Sequence, residues 1–234
     1  MSHRIDFDLC LITDRHQTGG RPLDEVVEEA LSGGVRAVQL REKDLSTREL
    51  LRWAEKLRSL TARFGARFLI NDRLDVCLAV GADGVHLRAD SLPVSAVRKI
   101  LGPERLIGQS THAVSEVIEA QREGADFVVL GPIYDTPSKR SMGRPPLGLS
   151  VIRSAAARVA VPVFAIGGIR FERISDVIQN CGQGVAVISA LLRAPNPREA
   201  AAEMLHELKS QRSSTMVSSV DGIRMRAIDR SWVR

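Results

Sequence analysis

The residues of this chain best suited to chemistry follow short apolar segments. One such segment runs into Gln39, Arg41 and Lys43, which alternate with their neighbours and therefore point to one side of an extended chain. Two cations and an amide on one side favour an anionic substrate, and we interpret them as a substrate-binding set. The alternative is a solvated charge cluster in which the two cations pair with Glu42 and Asp44.

A second apolar segment ends in Asn71 and Asp72. The amide of Asn71 can both donate to and accept from the edge of a heterocycle, and the carboxylate of Asp72 can bind a hard cation. Both residue types also cap helices, so either residue could simply begin the next helix. The pair by itself does not decide between these alternatives.

A third segment continues into a loop that contains glycine and proline and carries Thr136, Ser138 and Lys139. Lysine supplies positive charge and hydroxyl groups supply directed donors, and phosphate oxygens bind to this combination. The loop continues to Pro146, which is long enough for a mobile lid. An ordinary polar loop is the alternative.

Two further segments end where a backbone can approach a ligand closely. Gly167 and Gly168 follow one of them, and Ile188 and Ser189 follow the next. Barrels built from eight βα units often bind phosphate at these two strand ends. We therefore expect backbone amides at these positions to bind a phosphate group.

All of these segments belong to a repeat of eight βα units. Short, nearly continuous apolar stretches are typical of parallel strands that are buried on both faces, and the predicted strands are residues 9–13, 37–41, 68–71, 84–87, 106–109, 127–131, 163–166 and 185–188. Amphipathic helices separate them, and one begins at Ser46 with Glu49 three residues later, as in a capping box. The pattern predicts an α/β fold, a single-domain (β/α)8 TIM barrel, rather than a doubly wound open sheet. The carboxyl ends of all eight strands would then meet on one face.

Composition limits the class of protein. The chain has 234 residues and 44% hydrophobic content, enough for one domain with a full core. We predict a barrel domain over residues 1–212 and a basic, disordered tail over residues 213–234, which is rich in serine and then in arginine. The net charge of +5 is concentrated at this end, since the last 24 residues hold five arginines and two aspartates. Nucleic-acid binding is therefore not expected.

The sequence also favours a cytoplasmic protein. It contains no apolar run long enough to span a bilayer, and its charged start is unlike a secretory signal. Its cysteines, Cys10, Cys77 and Cys181, are scattered without metal-ligand spacing, so buried thiols in a reducing compartment are expected.

Taken in order, the motifs resemble those of the thiamine phosphate synthase family from residue 9 to about residue 208. The resemblance is carried by residues 13–15, 39–43, 71–72, 84–87, 108–112, 131–139, 167–169 and 187–189. Enzymes of that family couple hydroxymethylpyrimidine diphosphate to hydroxyethylthiazole phosphate, releasing pyrophosphate and making thiamine phosphate. The resemblance thus implies small phosphorylated heterocycles as ligands and a transferase without a covalent protein nucleophile; a homo-oligomer is possible.

The resemblance also implies residue roles. Gln39 and Asn71 would hold the pyrimidine. The diphosphate would be gripped by a charged and hydroxylic set, namely Arg41, Lys43, Ser110, Thr136, Ser138 and Lys139. Of these, Arg41, Lys43, Ser110 and Lys139 would be catalytic because they stabilise the departing pyrophosphate. Backbone amides of Gly168, Ile188 and Ser189 would hold the thiazole phosphate, and Asp72 would bind Mg²⁺.

One stretch departs from the family pattern. Ser91 stands where the family has its second metal-binding aspartate, Asp90 lies one residue earlier, and Arg88 replaces a glycine. Three outcomes are open: Asp90 joins Asp72 as a metal ligand, Arg88 replaces part of the charge of the metal, or the diphosphate chemistry is weakened or lost.

Two other functions are open on this basis. Thiazole tautomerase relatives share the barrel and the thiazole phosphate site, but they use a histidine at a position where this chain has Pro132. His86 is more simply interpreted as a core histidine and His112 as a capping or structural residue. A non-catalytic phosphate-binding relative is the third possibility, and the complete diphosphate set argues against it.

Overall fold

Eight parallel strands pair in sequence order and close into a barrel through β1 and β8 in a computed structural model of this chain. The structure describes residues 5–136 and 145–228, with side chains as far as residue 214. The strands are β1 Leu9–Ile12, β2 Ala37–Leu40, β3 Arg67–Asn71, β4 Gly84–Leu87, β5 Leu106–Thr111, β6 Phe127–Leu130, β7 Val163–Ile166 and β8 Gly184–Val187. The predicted single-domain TIM barrel is confirmed, and the open-sheet alternative is excluded.

The strands are short and apolar because both of their faces are covered. Every residue of β1, β2, β4, β6 and β8 is buried. The predicted bounds agree closely with the observed ones, and the main difference lies in β5, which continues to Thr111. Ser110 therefore belongs to a strand instead of to the loop that follows it.

Helices cover the outside of the barrel. They are α1 Leu23–Ser32, α2 Thr47–Arg63, α3 Leu74–Val80, α4 Val94–Leu101, α5 Val114–Glu123, α6 Ser150–Ala156, α7 Ile174–Gln179, α8 Ser189–Leu192 and α9 Pro197–Ile228. The predicted capping box at the start of α2 is present, with Ser46 and Glu49 each bonding the backbone of the other. The described part of the chain contains no helix with the length and apolar character of a membrane span.

The interior of the barrel is a second apolar cluster, separate from the layer between strands and helices. Phe7, Phe127 and Phe164 form its aromatic centre, with ring centroids 5.3 to 5.7 Å apart. Phe127 begins β6 and Phe164 lies near the start of β7, so the aromatic centre occupies the amino-terminal half of the interior. Two of the cysteines are buried as expected; burial raises the pKa of the Cys10 thiol to about 12 and that of the Cys77 thiol to about 11. Cys181 is exposed, contrary to prediction.

The last helix, α9, packs closely on α1. A β-carbon at Gly33 would lie 2.2 Å from the carbonyl oxygen of Arg198, so only glycine permits this approach. Further along, Arg212 forms a 2.5 Å ion pair with Asp8. The helix continues past residue 213 to Ile228, within the stretch for which the sequence predicts a disordered tail. The side chains of residues 215–228 and all of residues 229–234 lie outside the description, and the division into barrel and tail remains a prediction.

Candidate active site

Gln39 and Asn71 meet inside the barrel mouth. The side-chain Nε2 of Gln39 donates a 3.0 Å hydrogen bond to the side-chain Oδ1 of Asn71, across the pair of β2 and β3. Gln39 is almost fully buried and Asn71 is partly buried. The pairing of β3 with β4 sets Asn71 opposite His86. Two amides linked in this way present one fixed arrangement of donors and acceptors to a ligand that enters from above.

Arg41 and Lys43 lie just beyond β2 on the same face. The backbone nitrogen of Arg41 donates to the hydroxyl of the buried Thr13, at 2.9 Å, which joins the end of β2 to the end of β1. Burial is the main reason that the pKa of Arg41 is lowered, and the charge of Arg41 is the main reason that the pKa of Lys43 is lowered. Two cations that repel each other on a partly buried surface favour an anion as their common partner.

The structure does not show the alternative in which Arg41 and Lys43 pair with Glu42 and Asp44. The carboxylates of Glu42 and Asp44 are held by Arg15, at 3.2 and 2.6 Å. Within the described residues, neither Arg41 nor Lys43 has an ion pair. Arg15 therefore keeps the two neighbouring acids away from the two cations, which stay available to an anionic ligand.

Ser110 projects into the interior from β5, beside His86 on β4. The Nε2 atom of His86 lies 2.9 Å from the Ser110 hydroxyl oxygen. Burial lowers the pKa of His86 to about 4, so the ring is neutral at physiological pH. The core position predicted for His86 is confirmed, and its contact with Ser110 was not predicted. The available signal was its place on β4, two residues before Arg88, which lies just beyond the strand.

The tautomer of His86 follows from its other nitrogen. Nδ1 is buried without a hydrogen-bond partner among the described residues. A buried N–H without a partner is rarer and more costly than an unpaired acceptor, so the proton is better placed on Nε2. Nε2 then donates to the Ser110 oxygen, and the serine proton is directed elsewhere.

The predicted metal ligands both contact Arg88. One carboxylate oxygen of Asp72 accepts from the backbone nitrogen of Arg88 at 3.1 Å, and the other forms an ion pair with its guanidinium. Asp90 is 79% exposed and lies 3.4 Å from the same guanidinium. Ser91 donates its backbone N–H to the carbonyl of Arg88. No group of three or more metal-binding side chains occurs in the described part of the chain.

The ends of β7 and β8 adjoin each other, since Ile166 pairs with Ala186. The following Gly167 and Gly168 have φ of 98° and 67°, which glycine adopts readily. Ile188 and Ser189 occupy the matching place after β8, where the short helix α8 begins. The predicted phosphate-binding residues are thus neighbours, as expected.

Tyr134 and Arg173 hold this region in place, and neither was predicted. The backbone N–H of Tyr134 donates to the carbonyl of Gly167, and its hydroxyl donates to Asp176, both at 3.0 Å. The guanidinium of Arg173 stacks 4.1 Å from the ring of Tyr134 and donates to the carbonyl of Gly168 at 2.6 Å. The loop after β6 is thereby joined to the glycines after β7.

The remaining predicted residues lie on the loop after β6 and just beyond β5. Thr136 is partly buried on the loop after β6, while Ser138 and Lys139 lie outside the described residues. His112 contacts the carbonyl of Gly131 through Nδ1 at 2.6 Å, and its backbone nitrogen donates to Glu116. His112 therefore has the structural role that the sequence indicated.

Comparison with known proteins identifies one family. Residues 9–191 match the family model described as thiamine monophosphate synthase. A Geobacter sulfurreducens protein provisionally named a thiamine-phosphate synthase is 51% identical over 202 residues, covering 86% of this chain and 94% of that protein. The thiamine-phosphate synthase of Chlorobium phaeovibrioides is 44% identical over 201 residues, again with 86% and 94% coverage. Among solved structures, the thiamine phosphate pyrophosphorylase of Pyrococcus furiosus superposes with a TM-score of 0.80 at 36% identity, covering 88% of this chain and 96% of that one.

Proposed function

This chain belongs to the thiamine monophosphate synthase family, and on that premise we propose a residue-level account of its reaction. The enzyme couples hydroxymethylpyrimidine diphosphate to hydroxyethylthiazole phosphate. The bond between the pyrimidine methylene carbon and the diphosphate oxygen breaks, and the thiazole nitrogen forms a bond to that carbon. The products are thiamine phosphate and pyrophosphate, and no protein group is consumed.

The observation that carries this proposal is the unneutralised pair Arg41 and Lys43 beside the linked amides of Gln39 and Asn71. As the carbon–oxygen bond breaks, negative charge accumulates on the departing diphosphate. Fixed cations stabilise that charge more than they stabilise the ground state, which lowers the barrier. Arg15 supports this by holding Glu42 and Asp44. The amides orient the pyrimidine so that its methylene group faces the acceptor.

Ser110 contributes a directed proton donor. Since His86 Nε2 lies within hydrogen-bond distance of the serine oxygen and is best placed as the donor, the serine O–H can turn toward an oxygen of the diphosphate. His86 acts through Ser110 and is therefore a positioning residue. Thr136, Ser138 and Lys139 complete the diphosphate grip in this proposal.

The thiazole phosphate is assigned to the ends of β7 and β8. Gly168, Ile188 and Ser189 offer backbone amides there, and Tyr134 with Arg173 fixes the loop that faces them. Binding the phosphate at this end would place the thiazole ring over the mouth, between the phosphate and the pyrimidine. Positioning of the two heterocycles then supplies much of the rate enhancement.

The Mg²⁺ implied by the resemblance would neutralise diphosphate charge. The residues present do not fit a resident metal ion, because both oxygens of Asp72 are engaged by Arg88 and the second aspartate is replaced by Ser91. Mg²⁺ prefers oxygen ligands and several retained waters, so it can still arrive bound to the diphosphate. Cytoplasmic location and assembly into a homo-oligomer remain predictions.

An endpoint assay tests the proposed function. The purified protein is given both substrates, and thiamine phosphate is measured by fluorescence after oxidation. A parallel reaction supplies a thiazole carboxylate phosphate and follows its isomerisation. Product in the first reaction alone is the expected result. Isomerisation without any thiamine phosphate would replace the proposal with the tautomerase function.

A further inference from the structure

We propose that Arg88 is a built-in cation for the diphosphate, taking the place that a protein-bound metal ion would otherwise fill. The inference rests on the proposed function and concerns the same site. It assigns a diphosphate-binding role to a residue that the resemblance does not, and it predicts that this enzyme needs no resident metal.

The position of Arg88 is fixed by Asp72. The carboxylate of Asp72 receives both the backbone N–H and the guanidinium of Arg88, and the backbone N–H of Asp72 donates to the carbonyl of His86 at 3.0 Å. Asp72 itself has a φ of 61°, which is uncommon for a residue with a side chain. The side chain of Asp72 is only 18% exposed, whereas that of Arg88 is 52% exposed. Arg88 is therefore anchored on its protein side and open on the other.

Arg88 lies close enough to Arg41 and Lys43 to influence both electrostatically. Its charge contributes to lowering the pKa of both Arg41 and Lys43. Arg41 and Lys43 follow the end of β2 and Arg88 follows the end of β4, and the carboxyl-terminal ends of all eight strands lie on one face of the barrel. A guanidinium presents several N–H donors in one plane and can bind two phosphate oxygens at once.

The net charge of the site gives a reason for Ser91 and Arg88, the two departures from the family pattern, to occur together. Asp90, which lies 3.4 Å from the Arg88 guanidinium, is left out of both counts. Two carboxylates with one divalent cation have no net charge, and one carboxylate with one guanidinium also has none. Replacing an aspartate by Ser91 and a glycine by Arg88 therefore removes a metal ligand and supplies a cation without changing the charge of the site. Ser91 without Arg88 would remove the metal cation from the diphosphate site and supply no other cation in its place.

Binding of pyrophosphate in the presence of EDTA tests the role directly, without turnover. Isothermal titration of the full chain is compared for the wild type, Arg88→Gln and the control Arg122→Gln. Arg122 lies in the last turn of α5, where it pairs with Glu119. We expect Arg88→Gln to weaken pyrophosphate binding at least tenfold and Arg122→Gln to leave it unchanged. Equal affinities for wild type and Arg88→Gln would overturn the proposal.

Metal binding supplies the second readout. Mn²⁺ titrations followed by electron paramagnetic resonance, without substrate, should show no stoichiometric site in the wild type. The double variant Arg88→Gly with Ser91→Asp restores the family pattern and should bind one Mn²⁺. A stoichiometric Mn²⁺ site in the wild type would contradict the inference.

Turnover separates this inference from the proposed function. If the wild type makes thiamine phosphate in EDTA at a rate within tenfold of that in Mg²⁺, both stand. If it makes none under either condition while Arg88→Gln still weakens pyrophosphate binding, the proposed function fails and the anion-binding role of Arg88 remains. If product forms only with Mg²⁺ and Arg88→Gln binds pyrophosphate normally, the inference fails alone.

Discussion

The imidazole of His86 lies with Nε2 2.9 Å from the hydroxyl oxygen of Ser110, and its other nitrogen is buried without a partner among the described residues. The two residues are 24 positions apart and meet because β4 and β5 are neighbours in the barrel. A neutral histidine that donates to Ser110 leaves the serine O–H able to donate to the diphosphate, as the proposed function requires. This contact is the basis for proposing His86 as a positioning residue for Ser110.

Ser110→Ala should lower kcat/KM for the diphosphate substrate by about tenfold to a hundredfold, because a hydrogen bond to a charged group contributes about 1.5–3 kcal/mol. Steady-state kinetics with varied diphosphate would measure it. Ser95→Ala, on the exposed side of α4, is the matched control and should behave as wild type. A Ser110→Ala enzyme with unchanged kcat/KM would remove this hydroxyl from the diphosphate site.

His86 should make the protein less stable as the pH falls. Its pKa is about 4 in the folded chain and about 6.5 when unfolded, so the unfolded state binds more protons between these values. The free energy of unfolding therefore has its full value above the pKa of His86 in the unfolded chain, and it decreases as the pH falls toward 4. The loss between pH 7.5 and pH 5 should be about 2 kcal/mol.

Urea unfolding of wild type and His86→Gln across this pH range would test that expectation. The variant cannot gain a proton, so the difference in the free energy of unfolding between the two proteins should change by about 2 kcal/mol. A constant difference from pH 7.5 to pH 5 would show that His86 titrates normally.

Lys43→Gln should raise KM for the diphosphate substrate at least tenfold and reduce the dependence of KM on salt, since one exposed cation of the anion site is lost. Lys99→Gln is the control, because Lys99 is an exposed lysine in the last turn of α4. Steady-state kinetics at low and high ionic strength would distinguish Lys43→Gln from Lys99→Gln. The same KM and salt dependence for both variants would contradict an anion site at Lys43.

Gly168→Ala should raise KM for the thiazole phosphate. The φ of Gly168 is 67°, and an added β-carbon would lie 2.9 Å from both the Tyr134 β-carbon and the Arg173 guanidinium. Gly65→Ala is matched in φ, at 61°, with nothing within 4 Å. Gly65→Ala should lose roughly 1 kcal/mol of stability and Gly168→Ala at least as much, because of its close contacts. Only Gly168→Ala should change the KM. If both KM values stay the same, the phosphate does not bind at this turn.

Cys181→Gly should stabilise the protein. Cys181 is exposed and has a φ of 67°, a left-handed conformation in which a β-carbon costs about 1 kcal/mol. Chemical unfolding should therefore show a free energy of unfolding higher by roughly 0.5–1 kcal/mol, with kinetics unchanged. Cys181→Ala, which keeps the β-carbon, is the control and should show no such gain.

Local patterns in the sequence determined most of the fold. Apolar strands buried on both faces, amphipathic helices and the capping box at Ser46 each depend on neighbours within a few residues, so they could be predicted. Because strand ends of a closed barrel share one face, Gln39, Arg41 and Asn71 could also be assigned to one site. The agreement of the strand bounds, apart from the longer β5, reflects this local origin.

Only the tertiary structure decided which charged and polar groups pair. Arg15 holds Glu42 and Asp44, Arg88 holds Asp72, and His86 contacts Ser110. Each pair joins different strand ends or loops, and several partners of suitable charge were available to each group. The choice depends on distance, burial and side-chain geometry in three dimensions, none of which a linear pattern of residue types contains. The sequence therefore predicted where the candidate site lies, and the tertiary structure determined which of its charged and polar groups pair.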